Sequence, residues 1–431
     1  VGLALVLAVS ACEDDLSKLT FTTTTGVDSI DANPGDGICA DSEARCSLRA
    51  AVMETNALPG HERILVSDFV HELTLEGAGE DLGLTGDLDI NESVDIDGPG
   101  TVDAGGIDRA FDIHLPLIYP DHPDFLAPAK FGSITITGGL SGDGAAIRAD
   151  ATTSLLLWRT RITGNTATAG APVVTPTLVA GYITVDGNQG TAVGGIDHNS
   201  NAQFLLIDST VSGNQATAGV GGIRTAGAAS RLLFTTITNN SGTTGGGVHT
   251  VAGTTFADST IIADQAAGPD CVAPLTSAGF NVESGASCGL DGPTDQQNAN
   301  ALLKPLADNG GATPTHLPSL GSPALDHRGS CPSIPWDQRG VLRPQEGGCD
   351  VGAVEVAPAE LTGADCGPPH NLVPGAQLQN CDLSGENLDV LDLTGADLSG
   401  ANLSGASALF ASFDGADLSG ADFSGAAVIG V

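Results

Sequence analysis

The middle of the chain repeats itself in three stretches, GGIDHNSNAQFLLIDSTVSGN (194–214), GGIRTAGAASRLLFTTITNN (221–240) and GGVHTVAGTTFADSTIIAD (246–264). Including one earlier unit, a strand-like piece begins at Ile147, Ile196, Ile223 and Val248. A second apolar anchor follows 13 to 15 residues later, at Ile162, Val211, Ile237 and Ile261. Each unit then closes on Asn or Asp, at Asn165, Asn214, Asn240 and Asp264, and a degenerate unit contains Ile183 and Asn188. This near-constant spacing predicts a repeat array with units of about 24 to 27 residues.

The units predict a solenoid of short β-strands, in which each coil stacks on the last at about 4.8 Å. Val, Ile, Thr and Leu would form the stacked core, and Gly and Asn would occupy corners with φ > 0. Helical periodicity is absent. A β-propeller is the competing fold, but its blades need about 40 residues and aromatic signatures. Strands of earlier coils are predicted at 64–66, 73–75, 88–90, 94–96 and 134–136.

Composition limits the function. The chain has 431 residues, with 15 Lys and Arg against 52 Asp and Glu, which gives a net charge of −37. Such acidity argues against a nucleic-acid partner, since phosphates require a basic patch. Hydrophobic residues make up 41% of the chain, so it should bury a core. Aromatic residues make up only 4%, which favours closely stacked aliphatic side chains.

The C-terminal part follows a different repeat, with a period of five residues. Its central residues are Leu378, Leu383, Leu388, Leu393, Leu398, Leu403, Ala408, Phe413, Leu418, Phe423 and Val428. Ala stands two residues before most of them. This segment resembles the pentapeptide-repeat family. The resemblance implies a four-sided right-handed β-helix with the central residue and the Ala inside, and with Ser-Gly outside or at corners.

The first residues of the chain are interpreted as an export signal. Residues 1–11 are almost wholly apolar and end in small residues before Cys12, which resembles a bacterial lipoprotein signal with a truncated or non-ATG start. We therefore expect lipidation at Cys12 and a lipidated tether over residues 12–27. The alternative is a buried first strand with a chance Cys.

The other eight cysteines are neighbours in sequence and predict the pairs Cys39–Cys46, Cys271–Cys288, Cys331–Cys349 and Cys366–Cys381. An oxidising compartment is the better inference, because no Cys-x-x-Cys metal spacing occurs.

Two motifs carry a further resemblance. Asp31-Ala-Asn-Pro-Gly-Asp-Gly-Ile-Cys39, followed by Cys46-Ser-Leu-Arg49, resembles the CSLREA module of bacterial surface proteins, although Ala50 stands where the module's name has Glu. Trp336-Asp-Gln-Arg-Gly340, Arg343-Pro344 and Gly348-Cys-Asp-Val-Gly-Ala353 are similar to the end of choice-of-anchor β-helix proteins. The resemblance implies a right-handed parallel β-helix displayed at a bacterial surface.

The predicted organisation is all-β. An N-terminal cap over 28–63 would contain a short helix at Ser47–Ala57 that closes the first coil. The right-handed parallel β-helix would cover 64–357, and a linker over 358–376 would lead to the pentapeptide-repeat β-helix over 377–431.

Candidate ligand residues lie at equivalent or adjacent positions of successive repeats. They are Arg148, Asp197, His198, Arg224 and His249. No catalytic residue is assigned, because a polar column on a solenoid is usually a solvated face. No cofactor is assigned, and an acidic surface that serves solubility is the favoured explanation of the charge. Calcium is the alternative, through Asp87, Asp89, Asp95, Asp97 and Asp103 on successive strands. Neither an EF-hand loop nor a calcium-binding nonapeptide array occurs.

These observations favour a non-catalytic lipoprotein of the bacterial envelope, at the outer membrane or cell surface, with a structural, adhesive or ligand-binding role. Its expected partners are the membrane, through the anchor, and a surface polysaccharide or another envelope protein. The alternative is a polysaccharide lyase, a glycosidase or a carbohydrate-binding module that uses the β-helix face.

Overall fold

The computed structural model describes residues 19–428, except for 78, 116–127, 152, 320, 332–333, 346, 358–359, 361–371, 373–374, 377, 379–380 and 382. The predicted fold class is confirmed: the chain is an all-β, right-handed parallel β-helix followed by a pentapeptide-repeat β-helix. Every pairing between the strands of the first β-helix is parallel.

The coils contribute strands to three faces, and five of them also contribute to a short edge. The first face contains β1 (Thr20–Thr22), β2 (His61–Leu65), β5 (Ser93–Asp97), β8 (Pro128–Gly132), β12 (Ser154–Trp158), β16 (Leu178–Gly181), the first halves of β20 (Phe204–Ser212) and β23 (Ser230–Thr238), β26 (Thr255–Asp258) and β28 (Thr276–Gly279). The second face contains β3 (Val70–Glu72), β6 (Thr101–Asp103), β9 (Thr135–Thr137), β13 (Arg161–Thr163), β17 (Thr184–Asp186), the second halves of β20 and β23, β27 (Ile261–Ala263) and β29 (Val282–Glu283).

The third face and the edge complete the coil. The third face contains β4 (Leu88–Ile90), β7 (Phe111–Ile113), β11 (Ile147–Ala149), β15 (Val173–Thr175), β19 (Ile196–His198), β22 (Ile223–Thr225) and β25 (Val248–Thr250). The short edge contains β10 (Leu140–Ser141), β14 (Thr166–Ala167), β18 (Gln189–Gly190), β21 (Gln215–Ala216) and β24 (Ser241–Gly242).

The core is a set of aliphatic columns that the register aligns. Ile147, Ile196, Ile223 and Val248 are the first residues of their third-face strands and are fully buried, as the repeat indicates. Two predicted positions need correction. Ile262, not Ile261, stacks on Ile237, so the last repeat was aligned one residue too early. The early strand is Val70–Glu72 rather than 73–75, although Leu73 is buried just after it.

The asparagines that close the repeats are not at the φ > 0 corners. Asn165, Asn188, Asn214 and Asn240 are fully buried and form a ladder, which Gln265 continues. Each Nδ2 donates to the side-chain oxygen of the next member, at 2.9–3.3 Å. The residue before each member has positive φ instead, and it is Gly in three coils, then Asn239 and Asp264. The amide ladder satisfies backbone groups at this bend, which would otherwise be buried without partners.

The Gly-Gly pairs that begin the three repeats are explained by contacts between coils, not by positive φ. A Cβ on Gly195 would lie 2.6 Å from the carbonyl oxygen of Gly222, and one on Gly222 would lie 2.5 Å from that of Gly247. Close approach of successive coils therefore requires glycine at these positions.

A second bend, between the first and second faces, carries larger residues with positive φ. They are Ser133, Arg159, Tyr182, Asp208, Phe234, Ser259 and Phe280, with φ between 43° and 58°. This conformation is rare for bulky residues, so the surrounding stack must enforce it.

The predicted capping helix is confirmed as α1 (Leu48–Ala57), whose N-cap Ser47 accepts a hydrogen bond from the Ala50 amide. Arg49 is 1% exposed, and its guanidinium uses all five donors: it pairs with Asp28 and donates to the carbonyls of Gly83, Gly86 and Asp87. The Arg of the Cys-Ser-Leu-Arg motif thus fastens α1 to the loop that precedes β4.

The closing segment, residues 299–356, folds back over the β-helix. Gln338 accepts from the Thr210 hydroxyl at 2.7 Å and donates to Thr184 Oγ1 at 2.8 Å and to the Ile183 carbonyl at 3.0 Å. The second sequence motif therefore contains the residues that attach this segment to the second face.

The pentapeptide segment has four repeats per coil. Its bridges join residues 20 apart, such as Asn387 to Ser407 and Asn402 to Asp422. The central Leu residues from 378 to 403 and most of the preceding Ala residues are buried, and Gly residues turn the corners with positive φ. The predicted inward positions are confirmed in these coils.

Candidate functional site

The candidate ligand residues lie mostly in one column of the third face. The register stacks, on successive coils, Asp89, Asp112, Arg148, Val174, Asp197, Arg224 and His249. We call these seven residues the outer column. Each is the middle residue of a three-residue strand whose first residue points into the core, so the alternation of a strand explains their shared face.

Two ion pairs occupy the outer column. Arg224 binds Asp197 on the neighbouring coil with two hydrogen bonds, one of which joins Nε to Oδ1 at 2.7 Å. Arg148 binds Asp112 in the same way, through Nε at 2.8 Å and Nη2 at 2.6 Å. Hydrogen bonding to Asp197 raises the pKa of Arg224 above its usual range. Both guanidinium groups remain about one-third exposed, while the carboxylates are buried.

His198 does not belong to this surface, which corrects the prediction that it shares a ligand face. It is the last residue of β19 and is fully buried, with its ring 5.3 Å from that of Phe204. Burial lowers its pKa. Because Asp197 points outward, the next residue must point inward. His249 is half-buried, and burial and then Arg224 lower its pKa.

The first coils carry a cluster of buried carboxyl groups at the start of the outer column. Asp87, Asp89 and Asp112 each offer an oxygen within 4.8 Å of the others. Burial, followed by the charge of Asp89, raises the pKa of Asp87 to about 7. Burial also raises the pKa of Asp89 to about 6, although the amide of Gly83 opposes the shift. Arg109 lies against the cluster, 3.4 Å from Asp87, and bonds to Asp112.

His114 follows β7 and faces the same cluster. Its Nδ1 lies 2.8 Å from Oδ2 of Asp150, and its Nε2 lies 3.4 Å from Asp112 and 3.9 Å from Asp89. The sequence reasoning missed Asp112, His114 and Arg109. The repeat alignment began at Ile147, and 33 residues lie between that strand and the end of β7 at Ile113, so the period did not extend to them. The pattern Leu-Asp-Ile in β4 and Phe-Asp-Ile in β7 is the signal that would have found the pairing.

The five aspartates proposed as a calcium set do not converge, which corrects that expectation. Asp87 and Asp89 lie at the third face, whereas Asp95 and Asp97 are on β5 of the first face. There Asp95 pairs with His61 at 3.0 Å, and Asp97 pairs with Arg63 at 3.2 Å. Asp103 is on the second face and accepts from the amide of Gly105. Successive strands in the sequence belong to different faces of a coil, so the five side chains are dispersed.

Three of the four predicted disulfides are present in the described residues: Cys39–Cys46, Cys271–Cys288 and Cys331–Cys349. Cys381 is also disulfide-bonded, while Cys366 and the predicted lipidation site Cys12 lie outside the described residues. Cys271 and Cys288 are buried at the end of the main core. These links tie short loops to the β-helix.

No helix in the described part of the chain is long and apolar enough to cross a membrane.

Comparisons with known proteins bear on the C-terminal segment. A comparison with curated proteins found no significant match, and neither did one with solved structures. Residues 375–407 and 392–426 match the family model for pentapeptide repeats, with eight copies. The C-terminal segment of this chain is therefore a pentapeptide-repeat β-helix.

Proposed function

We propose that this protein is a non-catalytic component of a bacterial envelope, in which a lipid anchor at Cys12 holds a rigid β-helix and the outer column acts as its binding surface. The pairing of charges in the outer column carries the proposal. Arg224 and Arg148 each hold a neighbouring carboxylate in two hydrogen bonds. A surface of this kind presents fixed guanidinium edges rather than reactive groups.

The same geometry argues against hydrolysis at this face. A glycosidase places two carboxyl groups on either side of the scissile bond, about 5 to 9.5 Å apart. Asp197 has both oxygens engaged by Arg224. Asp87 and Asp89, whose raised pKa values would suit an acid catalyst, are only 3% and 0% exposed. A polymer lying along the coils would not reach them.

The chemistry of the surface suggests its ligand. The guanidinium groups, which are about one-third exposed, and His249 offer hydrogen-bond donors to hydroxyl or carbonyl oxygens. A net charge of −37 repels polyanions at long range. A neutral surface polysaccharide or another envelope protein therefore fits best. Three disulfides favour an exported location.

Membrane attachment is tested by expressing the full chain, with its native leader, and a Cys12→Ser variant in a bacterial host that is fed a palmitate analogue. We expect the label and the membrane fractionation to be lost only in the variant. Equal fractionation and equal labelling of both proteins would refute the anchor.

Ligand binding is tested with a panel of neutral and acidic polysaccharides. The double variant Arg224→Gln/Asp197→Asn removes both charges together, so that neither is left buried without its partner. The matched control is Arg231→Gln, an exposed arginine of the first face. We expect retention on a neutral polymer that the double variant loses and the control keeps.

The alternative function is a carbohydrate-active enzyme. The observation that favours it is the outer column itself, which spans several coils at about 4.8 Å per coil. New reducing ends, released from any polymer by the wild type and lost in the double variant, would replace the proposal with this alternative.

A further inference from the structure

The first two coils leave two buried ligand atoms facing each other. Asp89 is fully buried and accepts from the amide of Gly83 through Oδ2, at 2.7 Å. Its other oxygen, Oδ1, has no hydrogen-bond partner among the described residues. Nε2 of His114, which lies 3.9 Å from that oxygen, is also buried and has none. Unsatisfied buried polar atoms are rare and call for an explanation.

The contact that Nδ1 makes, on the other side of the imidazole, determines whether Nε2 of a neutral ring carries a hydrogen or a lone pair. Nδ1 of His114 lies 2.8 Å from Oδ2 of Asp150, so it donates its hydrogen to that carboxylate. A neutral ring then directs the lone pair of Nε2 toward Asp89 Oδ1, which also carries lone pairs. Nε2 also lies 3.4 Å from Oδ1 of Asp112, and a metal ion held among these atoms would make the arrangement favourable. A carboxylate on the far nitrogen is the usual second contact of a metal-bound histidine.

A third ligand is available at the surface. Asp81, Asp89 and His114 each offer one ligand atom, all within 4.8 Å of one another. Metal–ligand bonds of about 2.0–2.2 Å place two ligands of one zinc ion roughly 3 to 4 Å apart. The 3.9 Å between Asp89 Oδ1 and His114 Nε2 already falls in this range. Asp81 is exposed, so an ion would have a route from solvent.

The surrounding contacts hold these ligands in place. Arg49 fixes the loop before β4 through the carbonyls of Gly83 and Gly86. Asn91 donates to the carbonyl of Asp81 at 3.1 Å. The nearby cations do not occupy the site: Arg109 and Arg148 bond to Asp112, and Arg109 also lies near Asp87.

We propose that Asp81 and Asp89, together with Nε2 of His114, bind one divalent transition-metal ion of the zinc class. One imidazole and two carboxylates match zinc, whereas calcium selects oxygen ligands alone. The ion would link the loop before β4 to the end of β7 and so join the first two coils. The role is structural. Asp89 belongs to the outer column, but the ion would not involve Arg148, Asp197, Arg224 or His249, which carry the proposed binding function.

The test uses the full chain without a histidine tag, stripped with EDTA and then dialysed against Zn²⁺ in an excess of Ca²⁺ and Mg²⁺, which occupy the many exposed acidic groups. We expect one tightly bound zinc per chain and a rise in Tm on zinc addition. Co²⁺ in its place should give visible absorption bands typical of a nitrogen- and oxygen-bound ion.

His114→Gln, Asp89→Asn and the exposed Asp81→Asn should each lose the tight zinc and the shift in Tm. Asp150→Asn should weaken binding by about 10- to 100-fold. The matched control His61→Gln, at a half-buried histidine that pairs with Asp95 on the first face, should bind zinc like the wild type. Asp89→Asn removes a buried charge, so in EDTA it should be at least as stable as the wild type, which separates metal loss from misfolding.

The proposal is overturned if the wild type binds no zinc under these conditions. It is equally overturned if His114→Gln and Asp81→Asn, both folded by circular dichroism, keep the zinc and the shift in Tm, or if Ca²⁺ displaces Zn²⁺ at equal concentration.

Discussion

Nη2 of Arg343 lies 3.0 Å from Oδ1 of Asp208, a residue 135 positions earlier in the chain, and both side chains are completely buried. The guanidinium also donates to Glu355 at 3.1 Å and stacks 4.3 Å from the ring of Phe234. Asp208 and Phe234 are residues of the positive-φ bend between the first and second faces. The bend therefore turns side chains outward, where the closing segment binds them.

Loss of this buried contact should strongly destabilise the protein. Arg343→Ala leaves Asp208 and Glu355 without their cation, and breaking a buried ion pair costs about 3–5 kcal/mol. Arg231→Ala, at an exposed arginine over Phe256, should cost less than about 1 kcal/mol. Urea unfolding of both variants measures the difference, and equal midpoints would contradict the role assigned to Arg343.

The amide ladder predicts a cost for any break within it. Asn214→Ala removes an acceptor for the Asn188 amide and a donor to the carbonyl of Val185. Each buried group that is left unsatisfied costs about 1–3 kcal/mol. The exposed Asn201→Ala is the control and should unfold like the wild type. Denaturant titration of both variants checks this, and a tolerant Asn214→Ala would mean that water replaces the amide.

Acidification should weaken the attachment of the closing segment through His316. The ring lies 2.7 Å from the carbonyl of Lys304 and 2.8 Å from the Ser212 hydroxyl, and burial lowers its pKa. The unfolded chain takes up this proton near pH 6.5, while the folded chain resists it. The stability is therefore present above about pH 6.5 and is lost as the pH falls toward the lower folded pKa.

The measurement is the free energy of unfolding of the wild type and of His316→Gln, between pH 7.5 and pH 5. The wild-type free energy minus the variant free energy should decrease as the pH is lowered. Taking this difference removes the contributions of His71 and His198, whose pKa values burial also lowers. A difference that does not change with pH would contradict the prediction.

Two leucines at the same position of the pentapeptide repeat should respond differently to truncation. Leu398 is fully buried, and Leu398→Ala should cost about 2–5 kcal/mol. Leu418 is 37% exposed, so Leu418→Ala should cost much less. Hydrogen exchange of the amides from 383 to 411, followed by mass spectrometry, reports the loss of protection. Comparable exchange in the two variants would contradict the gradient of burial.

The repeat units predicted the fold because their apolar residues recur at the spacing of stacked coils. Ile196, Ile223 and Val248 begin their strands where the pattern places them. The one-residue error at Ile261 arose because Asp264 resembles the closing asparagines, whereas Gln265 performs their hydrogen bonding. Residue type alone does not show which of two neighbouring polar residues turns inward.

The candidate site was harder to predict for a similar reason. Alternation along a strand separates Asp197 from His198, and this separation is visible in the sequence once the strand is known. The contact between His114 and Asp89 depends on the register of β4 against β7, which lies outside the regular repeat. Nothing in the sequence marks Asp208 and Phe234 as positions with positive φ, because tertiary packing enforces the conformation of their bend.

The amide ladder also bears on how such a chain could change in length. Asn188 and Asn214 are 26 residues apart, and each coil offers its successor the same acceptors that it receives from its predecessor. Duplication or deletion of one whole coil would therefore preserve the hydrogen bonding of the ladder, whereas an insertion of a few residues within the bend would not. The two ends, with α1 and the closing segment, are specialised. The coils that the closing segment contacts, through Thr184 and Thr210, are specialised as well, so the number of the remaining interior coils can vary most freely.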